Sequence, residues 1–111
     1  MTPIILAALF TCTQPGVIDG DTWRCADGAR VRAWGIDAPE RYTPAGPAST
    51  AALARLITGK TLTREPRGKS YNRTVALCRL PNGTDIGGEM IRQGRAVEWC
   101  SYSRNFYGDC K

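Results

Sequence analysis

Two strings near the front of the chain, IDGDT from Ile18 to Thr22 and VRAWGIDAPE from Val31 to Glu40, decide how the rest is read. Each sets a turn beside apolar, strand-forming residues, so Asp19, Asp21, Asp37 and Glu40 are expected at strand ends. Arg32 adds a guanidinium inside the second string. Taken singly the strings say little, because an Asp-Gly pair ordinarily marks a hairpin turn and Ala-Pro an extended bend. A third string, SYNRTVALCRL from Ser70 to Leu80, supplies Arg73. Together they offer acids able to hold a divalent cation and two arginines able to neutralise a phosphate that gathers charge, which is what phosphodiester hydrolysis needs.

Outward from these strings the pattern is mainly β. Phe10 to Val17, Trp23 to Cys25 and Ala29 to Ile36 read as a three-stranded meander around the IDGD turn and a second turn at Asp27-Gly28. Arg41 to Gly46 is a Pro/Gly loop. Pro47 then opens a helix with Ala52, Leu53, Leu56 and Ile57 on one face, and Gly59 ends it. Thr61 to Glu65 reads as a strand, Pro66-Arg67-Gly68 as the start of a basic loop, and Thr74 to Leu80 as a further strand. Pro81-Asn82-Gly83 turns the chain toward a second helix, capped by Thr84 or Asp85, buried through Ile86, Met90 and Ile91, and ended by Gly94.

Composition narrows the chemistry. At 111 residues the chain is one domain with a modest core. A net charge of +5 favours a polyanionic partner, and Arg55, Lys60, Arg64, Arg67, Lys69, Arg73 and Arg79 concentrate the excess around the third string. No histidine occurs anywhere, so Ser-His-Asp, Cys-His and other histidine-based schemes are excluded, and proton transfer falls to a carboxylate, tyrosine, lysine or bound water.

In order and spacing the three strings resemble the staphylococcal nuclease family, over about Phe10 to Tyr102. The resemblance implies an α+β, mainly β fold: a five-stranded Greek-key barrel of the OB type with a helix after the third strand and a second helix near the end. It implies a single Ca²⁺ held by Asp21, Asp37 and the backbone carbonyl of Ala38, where the family usually has threonine. Asp19 and Thr22 match positions beside those ligands. Glu40 matches the residue that activates or orients the attacking water, and Arg32 and Arg73 match the two arginines that meet the phosphate. Lys69, Tyr71 and Tyr102 match substrate-side positions. Asn72 stands for a usual turn glycine, and asparagine tolerates positive φ; Cys100 replaces a second substrate-side tyrosine. The family typically closes with a third helix after the position of Tyr102, which SYSRNFYGDCK does not provide here. The implied activity is sequence-tolerant hydrolysis of DNA and RNA to leave 3′-phosphates, by a monomer with no membrane partner. A non-catalytic nucleic-acid-binding module and a protein-interaction domain on the same barrel are the alternatives.

Five cysteines without a CxxC spacing point to disulfides and an oxidising compartment, secreted or periplasmic, rather than to zinc. Cys12 with Cys25 across the first hairpin and Cys100 with Cys110 across the tail would leave Cys78 as a buried thiol; Cys25 with Cys78 is the competing pairing. Residues 1–9 read as a signal-peptide remnant or as the start of the first strand, with the nuclease-like domain over 10–111. Trp23 and Trp99 are expected in the core, and Arg64, Arg67 and Lys69 as long exposed side chains steering phosphates along the basic loop.

Overall fold

The frame of the fold is one stretch of chain that serves both edges of a curled sheet. The computed structural model describes residues 11–110, so the expectations for residues 1–9, and for Phe10 as a strand start, lie outside the described residues. Strand β1 (Thr11–Cys12) and strand β2 (Gly16–Asp19) are parts of one extended run broken at Gln14, which has φ 46°, and Pro15. β2 pairs antiparallel with β3 (Thr22–Arg24), which pairs with β4 (Arg30–Ala33), giving the expected meander. β1 turns the other way and pairs with β6 (Leu62–Ser70). β6 pairs antiparallel with β7 (Arg73–Arg79), which lies parallel to β4. The six-stranded order β1-β6-β7-β4-β3-β2 therefore begins and ends on consecutive chain, and counting β1 and β2 as one strand recovers the five-stranded, OB-like barrel.

A helix, α1 (Gly46–Ile57), lies between the meander and β6, with proline in its first turn. Ala52, Leu53 and Ile57 are buried and Leu56 partly so, the face the spacing predicts. Helix α2 (Ile86–Arg92) is capped by Asp85 rather than Thr84: the Asp85 carboxylate accepts the Gly88 N–H at 3.1 Å. Trp23, Val31, Ile36, Leu53, Ile57, Leu62, Ile86 and Met90 are fully buried between the sheet and these helices. Each contributes roughly 1.5–3 kcal/mol of apolar burial.

Two features depart from the expected pattern. Pro66-Arg67-Gly68 does not start a loop, since β6 continues to Ser70 and the β6–β7 ribbon closes on the two residues Tyr71 and Asn72. The register shifts between Pro66 and Gly68, where φ is 137°, and that irregularity accommodates a proline with no N–H to give. The positive φ of the turn falls on Tyr71, at 58°, not on Asn72.

A second, two-stranded sheet joins β5 (Ile36–Asp37) to β8 (Val97–Glu98). After it comes a single helical turn, α3 (Cys100–Ser103), beyond the two helices expected. What holds this tail is Glu98, which is buried and accepts hydrogen bonds from the Ser103 hydroxyl, the Tyr107 N–H (3.0 Å) and the Asp109 N–H (2.9 Å). Burial alone would raise its pKa, but these three donors outweigh it and hold the carboxyl below the usual range. The disulfides are Cys12–Cys25 and Cys100–Cys110, with Cα–Cα distances of 5.2 and 5.9 Å, which settles the pairing against Cys25–Cys78. Cys78 is a free buried thiol, and burial pushes its pKa up to about 12.

Two outcomes follow for stability. Glu98→Gln cannot accept on both oxygens and is expected to cost about 2–3 kcal/mol. Because the folded pKa of Glu98 is lowered, its contribution is complete above the unfolded value of about 4.3 and is lost as pH falls through the folded one. Melting temperature should thus fall more steeply with acidification in the wild type than in Glu98→Gln, and parallel pH profiles would refute the role. Alkylation of native protein should leave Cys78 unlabelled until denaturant is added, as peptide mapping can show.

Candidate active site

The IDGD turn sits against α1, and a glycine makes this possible. A Cβ on Gly20 would fall 1.9 Å from the Ser49 hydroxyl oxygen, and that hydroxyl donates to the Arg95 carbonyl at 2.8 Å. The turn is thereby fixed with Asp21 buried. Thr22 donates its hydroxyl to Asp21 Oδ1 at 2.9 Å, and the Ala38 N–H donates to Oδ2 at 2.9 Å. Arg32, on β4 and in register with Thr22, is buried beside them. Its Nη1 donates to the carbonyls of Ile36 (3.0 Å) and Ala33 (3.3 Å), while its Nη2 meets Asp21 Oδ2 at 3.3 Å and Asp37 Oδ1 at 3.4 Å.

Asp37 is exposed, at the end of β5. Asp19 accepts the Asp21 N–H at 3.3 Å, and burial, then the Asp21 side chain beside it, then the charge of Glu40, push its pKa up to about 6. Glu40 is exposed, but its backbone is held: its carbonyl accepts the Thr43 N–H (2.9 Å) and hydroxyl (2.7 Å), and a Cβ on Gly46 would lie 1.9 Å from it. Asp19, Asp21, Thr22, Arg32, Asp37, Ala38 and Glu40 are therefore brought to one end of the barrel.

The donor set fits a hard cation. All side-chain donors here are carboxylate oxygens, Asp21 Oδ1 retains acceptor capacity beside its single bond from Thr22, and Asp21 and Asp37 share one guanidinium nitrogen. Burial is the main reason the Asp19 pKa is raised, and the neighbouring Asp21 and Glu40 add negative charge that a cation would offset. Elsewhere, Glu98, Cys100 and Cys110 bring possible ligand atoms within 4.8 Å of one another, but both sulfurs are in a disulfide and the carboxylate is saturated by its three donors.

Arg32 also lines a cleft of about 110 Å³, together with Trp34, Gly35, Lys69, Val75, Trp99 and Tyr102. Lys69 and Tyr102 thus both line this cleft. Arg73 opens β7, and strand alternation puts it on the face of Val75. Tyr71 stands apart from this lining, 95% exposed at the hairpin tip. Trp99 is not core: it is 38% exposed, with the Arg32 guanidinium 4.6 Å from its ring centre and Tyr102 against it edge-on at 4.6 Å. Val97 and Trp99 face outward because buried Glu98 takes the inward position between them. Trp99, Trp34, Gly35 and Val75 carried no site signal in the sequence: Trp99 reads there as core, and the family resemblance gives none of the four a role.

The steering group also divides. Arg64 is nearly buried and pairs with Asp27 at 3.7 Å. Arg67 pairs with Glu65 at 2.6 Å and stacks over Trp34 at 4.5 Å and Phe106 at 5.9 Å. Both are tied into the fold by these partners, whereas Lys69 is exposed beside the cleft.

A family model described as staphylococcal nuclease homologue matches residues 30–109, beginning after Asp19, Asp21 and Thr22. Over 100 residues the chain is 33% identical to an "Uncharacterized endonuclease" of Haemophilus influenzae, covering 86% of this chain and 56% of that protein. An "Uncharacterized endonuclease" of Escherichia coli O157:H7 is 33% identical over 91 residues, 78% of this chain and 60% of that one. "Succinoglycan biosynthesis protein ExoI" of Rhizobium meliloti is 31% identical over 110 residues, 88% and 57% respectively. The chain spans between 56 and 60% of the length of these relatives.

Arg67→Ala should lower the unfolding free energy by about 1–2 kcal/mol through lost stacking, whereas Lys69→Ala should leave it within about 0.5 kcal/mol. Denaturant titrations compare the two. Equal effects would contradict the division.

Proposed function

This chain belongs to the staphylococcal nuclease homologue family, and on that premise we propose that it is a Ca²⁺-dependent nuclease that hydrolyses phosphodiester bonds of DNA and RNA to leave 3′-phosphates. The observation that carries the reading is the buried Arg32, whose Nη2 reaches both Asp21 and Asp37 at the mouth of an acid cluster. Those two contacts, at 3.3 and 3.4 Å, are long beside the ~2.7–2.9 Å of strong charge-assisted bonds. An anionic phosphate oxygen can therefore compete for the guanidinium.

In this reading Asp21, Asp37 and the Ala38 carbonyl hold the cation, with Asp19 and Thr22 fixing Asp21. The bound ion supplies Lewis-acid polarisation of the phosphate and part of the charge neutralisation. Glu40 takes a proton from the attacking water and orients it toward phosphorus. The P–O5′ bond breaks, the 5′-oxygen leaves as a hydroxyl on protonation from solvent, and the phosphate stays on the 3′ side. Arg32 and Arg73 donate to the phosphate oxygens most strongly as charge accumulates there. Lys69 and Tyr102 receive the substrate at the cleft, with Tyr71 reaching the chain from the hairpin tip. Tolerance of sequence follows because phosphate contacts carry no base information.

The two disulfides support an oxidising compartment, secreted or periplasmic. No helix among the described residues is long and apolar enough to cross a membrane.

Plasmid nicking should require Ca²⁺ and stop in excess EDTA. Glu40→Gln and Arg73→Ala should each lower kcat by about 10²–10³-fold with melting nearly unchanged. Arg32→Ala should lose both rate and stability, because it strands the buried Asp21 charge. Cleavage that survives chelation, or full rates in both Glu40→Gln and Arg73→Ala, would overturn the assignment.

A further inference from the structure

Resting on the nuclease reading above, we propose that Trp99 is a positioning residue for Arg32, fixing the plane of its guanidinium so that the in-plane N–H groups point at the phosphate. Trp99 is a large apolar side chain that is 38% exposed, yet its backbone is tightly held. Its N–H donates to the Gly35 carbonyl at 2.8 Å, and its own carbonyl accepts the Tyr102 and Ser103 N–H groups, both at 3.0 Å. On one side of it lies the saturated carboxylate of Glu98, and on the other Cys100 in its disulfide. Tyr102 packs edge-on against the indole at 4.6 Å. So constrained, the ring lies with its centre 4.6 Å from the Arg32 guanidinium carbon.

A guanidinium lying flat on a ring is held without consuming a donor, because all five N–H groups lie in its plane, and the Arg32 guanidinium carbon lies over the Trp99 ring. Nη1 is already directed at the Ile36 and Ala33 carbonyls. The Nη2 edge then faces Asp21 and Asp37, toward which the phosphate must come. The ring also keeps water from one face of the guanidinium, which strengthens its electrostatic action on a charge that develops in the transition state. A substrate-stacking platform is the rival role, and it makes a different kinetic prediction.

The test compares wild type, Trp99→Leu and Trp99→Phe on a single-stranded oligonucleotide and on the same strand with abasic residues flanking the scissile phosphate. Trp99→Leu should lower kcat on the order of tenfold on both substrates with little change in KM, and Trp99→Phe should recover most of the rate. Trp99→Met replaces Trp99→Leu if a thermal melt shows the latter unfolded. As a readout independent of turnover, the Arg32 Nε–H resonance, assigned by its loss in Arg32→Lys, should carry a ring-current shift that the aliphatic variant removes and Trp99→Phe retains. An unchanged kcat, an unmoved resonance, or a rise in KM confined to the base-bearing strand overturns the proposal. Wild-type protein that cleaves neither strand overturns the nuclease reading itself, a result distinct from wild-type cleavage that Trp99→Leu leaves undiminished.

Discussion

A guanidinium buried beside a carboxylate is tolerable only if both are held in place by further hydrogen bonds, since desolvating two charges costs more than an imperfect pair returns. Arg32 and Asp21 meet that condition through the surrounding backbone. Two carbonyls take Nη1, and a hydroxyl and an amide hold the Asp21 oxygens. Those partners lie on β3, on β4 and in the segment through Ala38. The pair can therefore form only when the meander, the β5 turn and the IDGD hairpin have taken their final places. Removing either member would leave the other charged and buried, so the site and the barrel wall are one structure rather than a site grafted on a wall.

The tail depends on a second buried acid. Glu98 satisfies three donors after β8, and β8 is paired with β5, whose Asp37 reaches Arg32. Tyr107 extends the same network by donating its hydroxyl to Asp85, the residue that caps α2. With the Cys100–Cys110 bridge, a few polar contacts tie down residues after β8 that have one helical turn of their own. The aromatic side chains of this segment then cover barrel arginines: Trp99 lies over Arg32 and Phe106 beside Arg67. Arginine suits both places because its planar face stacks while its edge still donates.

Much of the scaffold was legible because local rules and tertiary outcome agree. Asp-Gly turns, Pro47 in a first turn, Asp85 before Ile86 and the apolar spacing of α1 each have a short-range cause that no distant residue overrides. The cysteine pairing was legible only in part: the hairpin of β2 and β3 favours Cys12 with Cys25, but Cys25 with Cys78 stayed open until the structure decided between them. Where local rules misled, a long-range contact was responsible. Val97, Glu98 and Trp99 alternate as if the apolar pair faced inward, and only the donors of Ser103, Tyr107 and Asp109 make the acid the better buried residue. Pro66 reads as a loop because the sequence does not show that a register shift at Gly68 lets the ribbon continue past it.

By itself, then, the sequence determined the order of strands and helices, the acid and arginine inventory, and the absence of any imidazole chemistry, since these depend on residue type and near neighbours, while the kind of barrel followed from the family resemblance. Tertiary structure alone decided which of the basic side chains are occupied and which faces an aromatic ring presents. Arg64 and Arg67 are held by Asp27, Glu65 and Trp34, while Lys69 stands at the cleft. Trp99 lies over Arg32 although 67 positions separate them in the chain. The physical reason is that charge pairing and ring stacking act through space over a few ångströms, and a curled sheet chooses which distant residues come that close.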